Sequence, residues 1–236
     1  MIGVAPSGFR VRAPRVDNVR MIERVLPDGV EAAEHAGPPL PAPLFPAEES
    51  AVAKAVPTRR SEYAAVRACA RIALRRLGVP VEAVPTGPGR APVWPQGIVG
   101  SMTHCEGYRA AAVASAEDWS GLGIDAEVWA PLPPEVVEMV MSLSERSALG
   151  AVDPAVCPDR VLFSAKESVY KVWYPMTSSW LGFEDVEVML GDGTFVARIG
   201  PAGLGTDVLH GRWAVGEGLI VTAVALARSG VVDPCS

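Results

Sequence analysis

The chain has no Cys-x-x-Cys pair. Cys69, Cys105, Cys157 and Cys235 are scattered, which argues against a zinc site or a disulfide framework and for reduced thiols that serve as packing residues. It has no apolar run long enough to span a bilayer and no charged-then-apolar leader, so the expected location is the cytoplasm, with no membrane partner. Nor is there an excess of positive charge. Lys and Arg total 21 against 27 Asp and Glu, for a net charge of −6. Bulk electrostatics therefore give no attraction to nucleic acid, and any phosphate binding must be local. A Gly-x-x-x-x-Gly-Lys-Ser/Thr loop, a dinucleotide fingerprint and a kinase signature are all missing, which excludes the commonest nucleotide enzymes. What is there is a globular composition, 49% hydrophobic and 20% charged over 236 residues, enough for one large domain or two small ones.

Residues 1–20 carry four arginines and no apolar period, and read as a loose N-terminal extension; residues 228–236 read as a loose tail. Prolines crowd residues 37–46, and a helical stretch follows until Pro57. Residues 58–77 read as a long helix closed by Gly78 and Pro80, with Tyr63, Val66, Ala70, Ala73, Leu74 and Leu77 as its core stripe. Arg59, Arg60 and Arg67 lie off that stripe, either as solvated surface or as a phosphate clamp. Gly87-Pro88-Gly89-Arg90-Ala91-Pro92 is a loop by its turn chemistry. Next comes a short polar turn holding Ser101, Thr103 and His104, whose side chains can donate to an anion, although a lone His is more often a packed residue. Two short helices are expected between residues 131 and 150; Val136, Val137, Val140 and Met141 give them an apolar side for the core or for a partner. Residues 182–227 alternate β-rich runs with glycine turns and read as an antiparallel meander.

Two stretches carry the chemistry. In Leu122-Gly123-Ile124-Asp125-Ala126-Glu127-Val128, strand alternation places both acids on one face, and like charges there call for a cation, donors or solvent. In Leu162-Phe163-Ser164-Ala165-Lys166-Glu167-Ser168-Val169-Tyr170-Lys171-Val172-Trp173-Tyr174, helical spacing puts Leu162, Ala165, Val169, Val172 and Trp173 on one arc. Ser164, Glu167, Lys171 and Tyr174 lie opposite, before Pro175 ends the helix. Here Ser164 and Glu167 also match a capping box, and Glu167 with Lys171 an ordinary i,i+4 pair. Asp125, Glu127 and Glu167, the last from the first helical turn, make three hard oxygen ligands suited to Mg²⁺ rather than zinc. Lys166 and Lys171 could meet phosphate charge beside them, with Arg59, Arg67, Arg90 and His104 gripping more remote phosphates.

Gly100-Ser101-Met102-Thr103-His104-Cys105-Glu106-Gly107-Tyr108-Arg109, Gly123-Ile124-Asp125-Ala126-Glu127 and Phe163-Ser164-Ala165-Lys166-Glu167-Ser168-Val169-Tyr170-Lys171 resemble the three motifs of the 4′-phosphopantetheinyl transferases. The match is closest to the enterobactin- and surfactin-synthetase group and its actinobacterial members. The resemblance implies an α+β fold of two similar halves related by a pseudo-twofold, residues 21–117 and 118–227, with the active site at their interface. It implies transfer of phosphopantetheine from coenzyme A to a serine of apo acyl or peptidyl carrier proteins, such as those of polyketide, nonribosomal-peptide and siderophore synthesis, by a monomer. By the same resemblance His104 and Thr103 contact the coenzyme A phosphates, Arg59, Arg67 and Arg90 hold the 3′-phosphate and pyrophosphate, and Lys171 neutralises the reacting phosphate. Asp125, Glu127 and Glu167 would bind Mg²⁺, with Mn²⁺ as the alternative, and Glu167, directly or through a water on the metal, would be the general base. Two other readings are a coenzyme A binding module without chemistry and a metal-dependent phosphohydrolase.

Overall fold

The protein is represented by a computed structural model, which describes residues 20–39 and 41–228. The extensions expected at residues 1–20 and 228–236 lie outside it except for Arg20 and Arg228, as does Cys235. The first half runs β1 (Glu31–Ala36), α1 (Pro46–Glu49), α2 (Pro57–Arg76), β2 (Ile98–Cys105) and β3 (Tyr108–Ser115). The second runs β4 (Trp119–Val128), α3 (Pro134–Val140), α4 (Leu143–Leu149), α5 (Pro158–Thr177) and then β5 (Val186–Leu190), β6 (Thr194–Ile199), β7 (Val208–Gly216) and β8 (Leu219–Ala227).

All strand pairs are antiparallel, in two sheets ordered β1-β3-β2 and β4-β8-β7-β6-β5. The connectivity repeats. In each half a first strand, a 20-residue helix and a terminal hairpin follow in order, and the first strand pairs with the last (β1 with β3, β4 with β8). The β5–β6 hairpin is an addition to the second half. This is the α+β, pseudo-twofold arrangement expected from the motifs.

The two sheets pack face to face through small side chains: Ala32, Ala110 and Ala112 of one meet Ile124, Ala126, Val221 and Ala223 of the other. Met21, Ile22 and Val25 fill the same layer, so the chain enters the fold at the junction of the halves. Glu34 holds that entry by accepting from the backbone N–H groups of Met21 (2.6 Å) and Ile22 (2.7 Å) and from the Tyr108 hydroxyl. The outer face of the first sheet packs on α2 through Cys69, Ala70, Ala73 and Leu74, and that of the second on α5 through Leu162, Ala165, Val169 and Trp173. Apart from Cys69, these residues are among those read from the helical period. Val140 and Met141 are buried and Val136 and Val137 pack against the same cluster, so the apolar side of α3 faces the core.

Several elements differ from expectation. Ile98–Cys105 form strand β2, not a turn, because Gly100 is accommodated where the Trp94 indole lies against the sheet, and the whole run pairs in register with β3. The polar sequence Glu31-Ala-Ala-Glu-His-Ala gave no β signal, yet it is strand β1, held by its pairing to β3. Helix α5 begins at Pro158, six residues before Ser164, so Ser164 caps nothing and Glu167 sits in the third turn. It also continues past Pro175, which falls within the last turn, to Thr177.

Gly123 sets the distance between β4 and α5. A Cβ there would lie 2.0 Å from the Ser168 carbonyl oxygen, a backbone atom that cannot move aside. Gly123→Ala should therefore lower the unfolding free energy by more than about 2 kcal/mol in urea denaturation; an unchanged midpoint would show that helix and strand are not in this contact.

Candidate active site

Edge strand β2 of one sheet lies against edge strand β4 of the other, and side chains replace the missing ladder. Ser101 Oγ accepts from Ile124 N and Thr103 Oγ1 from Ala126 N, both at 3.1 Å. Thr103 donates in turn to Asp125 Oδ1, also at 3.1 Å. Asp125, 5% exposed, receives two further bonds from α5: Lys171 Nζ to Oδ1 and Ser164 Oγ to Oδ2, both 2.8 Å. Lys171 Nζ also donates to the Ile124 carbonyl at 2.9 Å. Asp125 thus joins both halves.

Glu127, two residues along the same face, accepts from Arg160 Nη1 at 2.8 Å. Glu167 has no hydrogen-bond or ion-pair partner among the described residues. The pKa of each acid is raised, first by burial and next by the charge of Asp125; Glu127 adds to the rise on Glu167, while Lys171 opposes both and Arg160 opposes the rise on Glu127. The three carboxylates therefore share one electrostatic environment. They do not form an assembled cage: among the described residues no group of three His, Cys, Asp or Glu side chains is gathered closely enough to hold a metal ion. The physical reason is that Asp125 and Glu127 are already drawn onto Lys171 and Arg160.

Beside this cluster is a cavity of about 130 Å³ lined by Arg59, Tyr63, Arg67, Arg90, Thr103 and His104 among others. Arg59, from the first turn of α2, places Nη1 2.9 Å from His104 Nε2. Loss of solvent, and after it the Arg59 charge, lowers the His104 pKa below its usual 6.5. Arg67 is buried and stacks on the Tyr63 ring at 3.4 Å, donating to the Val84 carbonyl (3.3 Å) and Thr86 Oγ1 (2.9 Å). Arg90 stands at the cavity rim on a 3₁₀ turn, Pro88–Arg90, in which Gly89 has a φ of +60°. A Cβ on Gly89 would overlap the Tyr174 ring at 2.0 Å, so this loop of the first half is seated on α5 of the second.

Two of the expected phosphate contacts, Thr103 and Lys166, are engaged with other partners. Thr103 and His104 both line the cavity. His104 turns toward Arg59, whereas the Thr103 proton is committed to Asp125. Lys166 does not face phosphate either. It is 3% exposed, and Nζ donates to Val140 O, Phe183 O and Glu145 Oε2, each at 2.9 Å, a complete set of acceptors for an ammonium. The sequence reading missed Arg160, Ser164 as an Asp125 donor, and Glu145. Of these only Glu145 carried a signal, as the acid three residues after Ser142 in a capping box.

A cation-lined cavity that opens beside a cluster of carboxylates, at the junction of two similar halves, defines a protein that handles a polyanion. Comparison with known proteins narrows this. The 4′-phosphopantetheinyl transferase N-terminal domain matches residues 47–114, and the 4′-phosphopantetheinyl transferase superfamily matches residues 121–223. The chain is similar to 4′-phosphopantetheinyl transferase Npt of Nocardia iowensis, 45% identical over 88% of this chain and 100% of that protein. It is also similar to 4′-phosphopantetheinyl transferase Svp of Streptomyces mobaraensis, 53% identical over 78% of this chain and 79% of that one. A third relative, 4′-phosphopantetheinyl transferase PptT of Mycobacterium tuberculosis, is 41% identical over 86% and 94%. The chain belongs to the 4′-phosphopantetheinyl transferase superfamily, and transfer of a 4′-phosphopantetheinyl group is its activity.

Lys166→Met leaves Glu145 buried without a counter-charge and should destabilise the protein by about 3–5 kcal/mol in thermal or urea unfolding, while the KM for coenzyme A of the folded enzyme stays unchanged. Adding Glu145→Gln should recover part of the loss. A selective rise in that KM, with stability intact, would return Lys166 to the phosphate site.

Proposed function

We propose that the enzyme takes the 4′-phosphopantetheinyl group from coenzyme A and places it on a serine of an apo acyl or peptidyl carrier protein, releasing 3′,5′-ADP. The observation that carries this reading is the link between the Arg59, Arg90 and His104 cavity and the carboxylates: Thr103 lines the cavity and donates to Asp125, whose charge, after burial, raises the pKa of Glu167, an acid with no side-chain partner among the described residues. At about 130 Å³ the cavity is small for a whole nucleotide, so it suits the phosphates, with the adenosine over its open mouth. Arg59, Arg90 and His104 would grip them, and Arg67, stacked and anchored, would add a fixed positive field.

Lys171 would turn from Asp125 to the phosphate that bears the pantetheine, where negative charge spreads during transfer. Glu167 would receive the proton of the carrier serine as its oxygen bonds to phosphorus and the phosphoanhydride bond to 3′,5′-ADP breaks. Burial beside Asp125 raises the Glu167 pKa, which makes its carboxylate the stronger base for that step. The donor set of Asp125, Glu127 and Glu167 is all hard oxygen and mutually repulsive, which fits Mg²⁺ or Mn²⁺. Bound there, the metal would supply charge neutralisation for the diphosphate. One chain furnishes both sides of the site, in keeping with a monomer. Among the described residues no helix is long and apolar enough to cross a membrane, and Cys69, Cys105 and Cys157 are unpaired, in keeping with a reaction in the cytoplasm.

Incubation of an apo carrier with enzyme, coenzyme A and Mg²⁺ should add one phosphopantetheine to the carrier by intact-mass spectrometry, and an unmodified carrier refutes the reading. Glu167→Gln should slow transfer by about 100-fold or more while coenzyme A affinity changes only a few-fold. His104 gives a pH signature. Its lowered pKa leaves the ring neutral above pH 6.5, and a bound polyanion favours the protonated form, so coenzyme A should bind more tightly as pH falls from 8 to about 6 with uptake of a proton. His104→Ala should flatten that dependence in calorimetry.

A further inference from the structure

The carboxylate cluster already contains two cations, and they are held differently. Lys171 rests on Asp125 and one carbonyl, at the end of a flexible stem. Arg160, from the first turn of α5, is clamped. Its Nε donates to the Ala130 carbonyl and Nη2 to the Pro131 carbonyl, both at 3.0 Å, while Nη1 meets Glu127 Oε2 at 2.8 Å. The two carbonyls fix the guanidinium independently of the acid, and the ion pair is largely shielded, at 18% and 22% exposure. Three carboxylates against these two cations leave one net negative charge, little to hold a dication in the absence of another anion.

We propose that Arg160 is a resident counter-ion that keeps the bare enzyme from retaining a divalent metal, so that metal is held firmly only together with the diphosphate of coenzyme A. The inference rests on the metal-assisted transfer put forward above. Arg160 occupies one oxygen of Glu127 and repels any dication near it; the diphosphate supplies the missing negative charge when it arrives. Arg160 touches neither substrate nor reacting atoms and is a positioning residue, acting through Glu127.

The test is Mn²⁺ binding, followed by electron paramagnetic resonance of the free ion, to full-length enzyme with and without coenzyme A and with no carrier present. Wild-type enzyme should bind Mn²⁺ at least about tenfold more tightly with coenzyme A than without it. Arg160→Gln should tighten binding to the bare enzyme by a similar factor and lose most of the dependence on coenzyme A. Arg160→Lys breaks the carbonyl clamp but keeps the charge, so it should remain close to wild type; a purely structural role would make Lys and Gln behave alike. Equal Mn²⁺ affinity of the bare wild-type and Arg160→Gln enzymes overturns the proposal, as does wild-type affinity indifferent to coenzyme A, which needs no variant to observe. Failure of the underlying reading looks different: no Mn²⁺ bound under any condition while carriers are still modified in the presence of a chelator.

Discussion

The structure depends on how two sheet edges that share no backbone ladder are made to adhere. Strand β4 turns the N–H groups of Ile124 and Ala126 away from β8, and buried donors without partners are costly. Hydroxyls of Ser101 and Thr103 satisfy them. Because a hydroxyl both accepts and donates, Thr103 can close the seam and still bind Asp125, so the bond that joins the halves also orients an acid of the site. Valine at 103 would match the shape and lose both contacts. Behind the seam, Ala32, Ala110 and Ala112 of the first sheet leave room for Ile124 and Val221 of the second, and Met21, Ile22 and Tyr108 fill the rest of the layer.

A second device appears once in each half. Glu48, third residue of α1, accepts from its own N-cap N–H at Phe45, from Val84 N and from Arg71 of α2. Glu145, third residue of α4, accepts from Ser142 N, Val188 N and Lys166 of α5. Both glutamates are almost wholly buried, and each ties a short helix, an extended segment and a long helix to one carboxylate. An isolated four- or seven-residue helix is unstable in water, so these acids are what keep α1 and α4 in place. The cations sit at different turns of the two long helices, so the halves share the device without sharing the residue positions. Lys166 is thereby engaged with Glu145, while Lys171, five residues on, reaches Asp125 instead.

Sequence period revealed the long helices, their buried stripes and the face shared by Asp125 and Glu127, because each follows from 3.6- or 2-residue repeats within one element. It did not reveal β1 or β2. Glu31-Ala-Ala-Glu-His-Ala has no β-branched residue, and its conformation comes from pairing with β3, about 75 residues on. Partners across elements were equally hidden. Arg160 with Glu127, Ser164 with Asp125 and Lys166 with Glu145 are set by how α5 crosses β4 and reaches α4, and no local pattern encodes a crossing. Residue chemistry assembles Asp125, Glu127 and Glu167 with Lys166 and Lys171, and the motif resemblance keeps the three acids and Lys171, but neither sees which side of a helix a neighbour takes. Helix rotation separates Lys166 from Glu167.

The pairing of nearly every charged group near the cleft bears on how such a site can act. Arg59 lies against His104 and 3.9 Å from Glu62, Lys171 on Asp125 and Arg160 on Glu127. An incoming polyanion therefore exchanges one set of counter-ions for another within a partly dehydrated space. For Arg160 and Lys171, at 18% and 26% exposure, that exchange costs less than stripping water from fully exposed cations, because part of the desolvation was met during folding. Arg90 at the cavity and Glu167 among the acids have no such side-chain partner among the described residues. A partly buried acid without a side-chain partner among the described residues gains from a proton or a cation, which is the one kind of group the surrounding acids also favour.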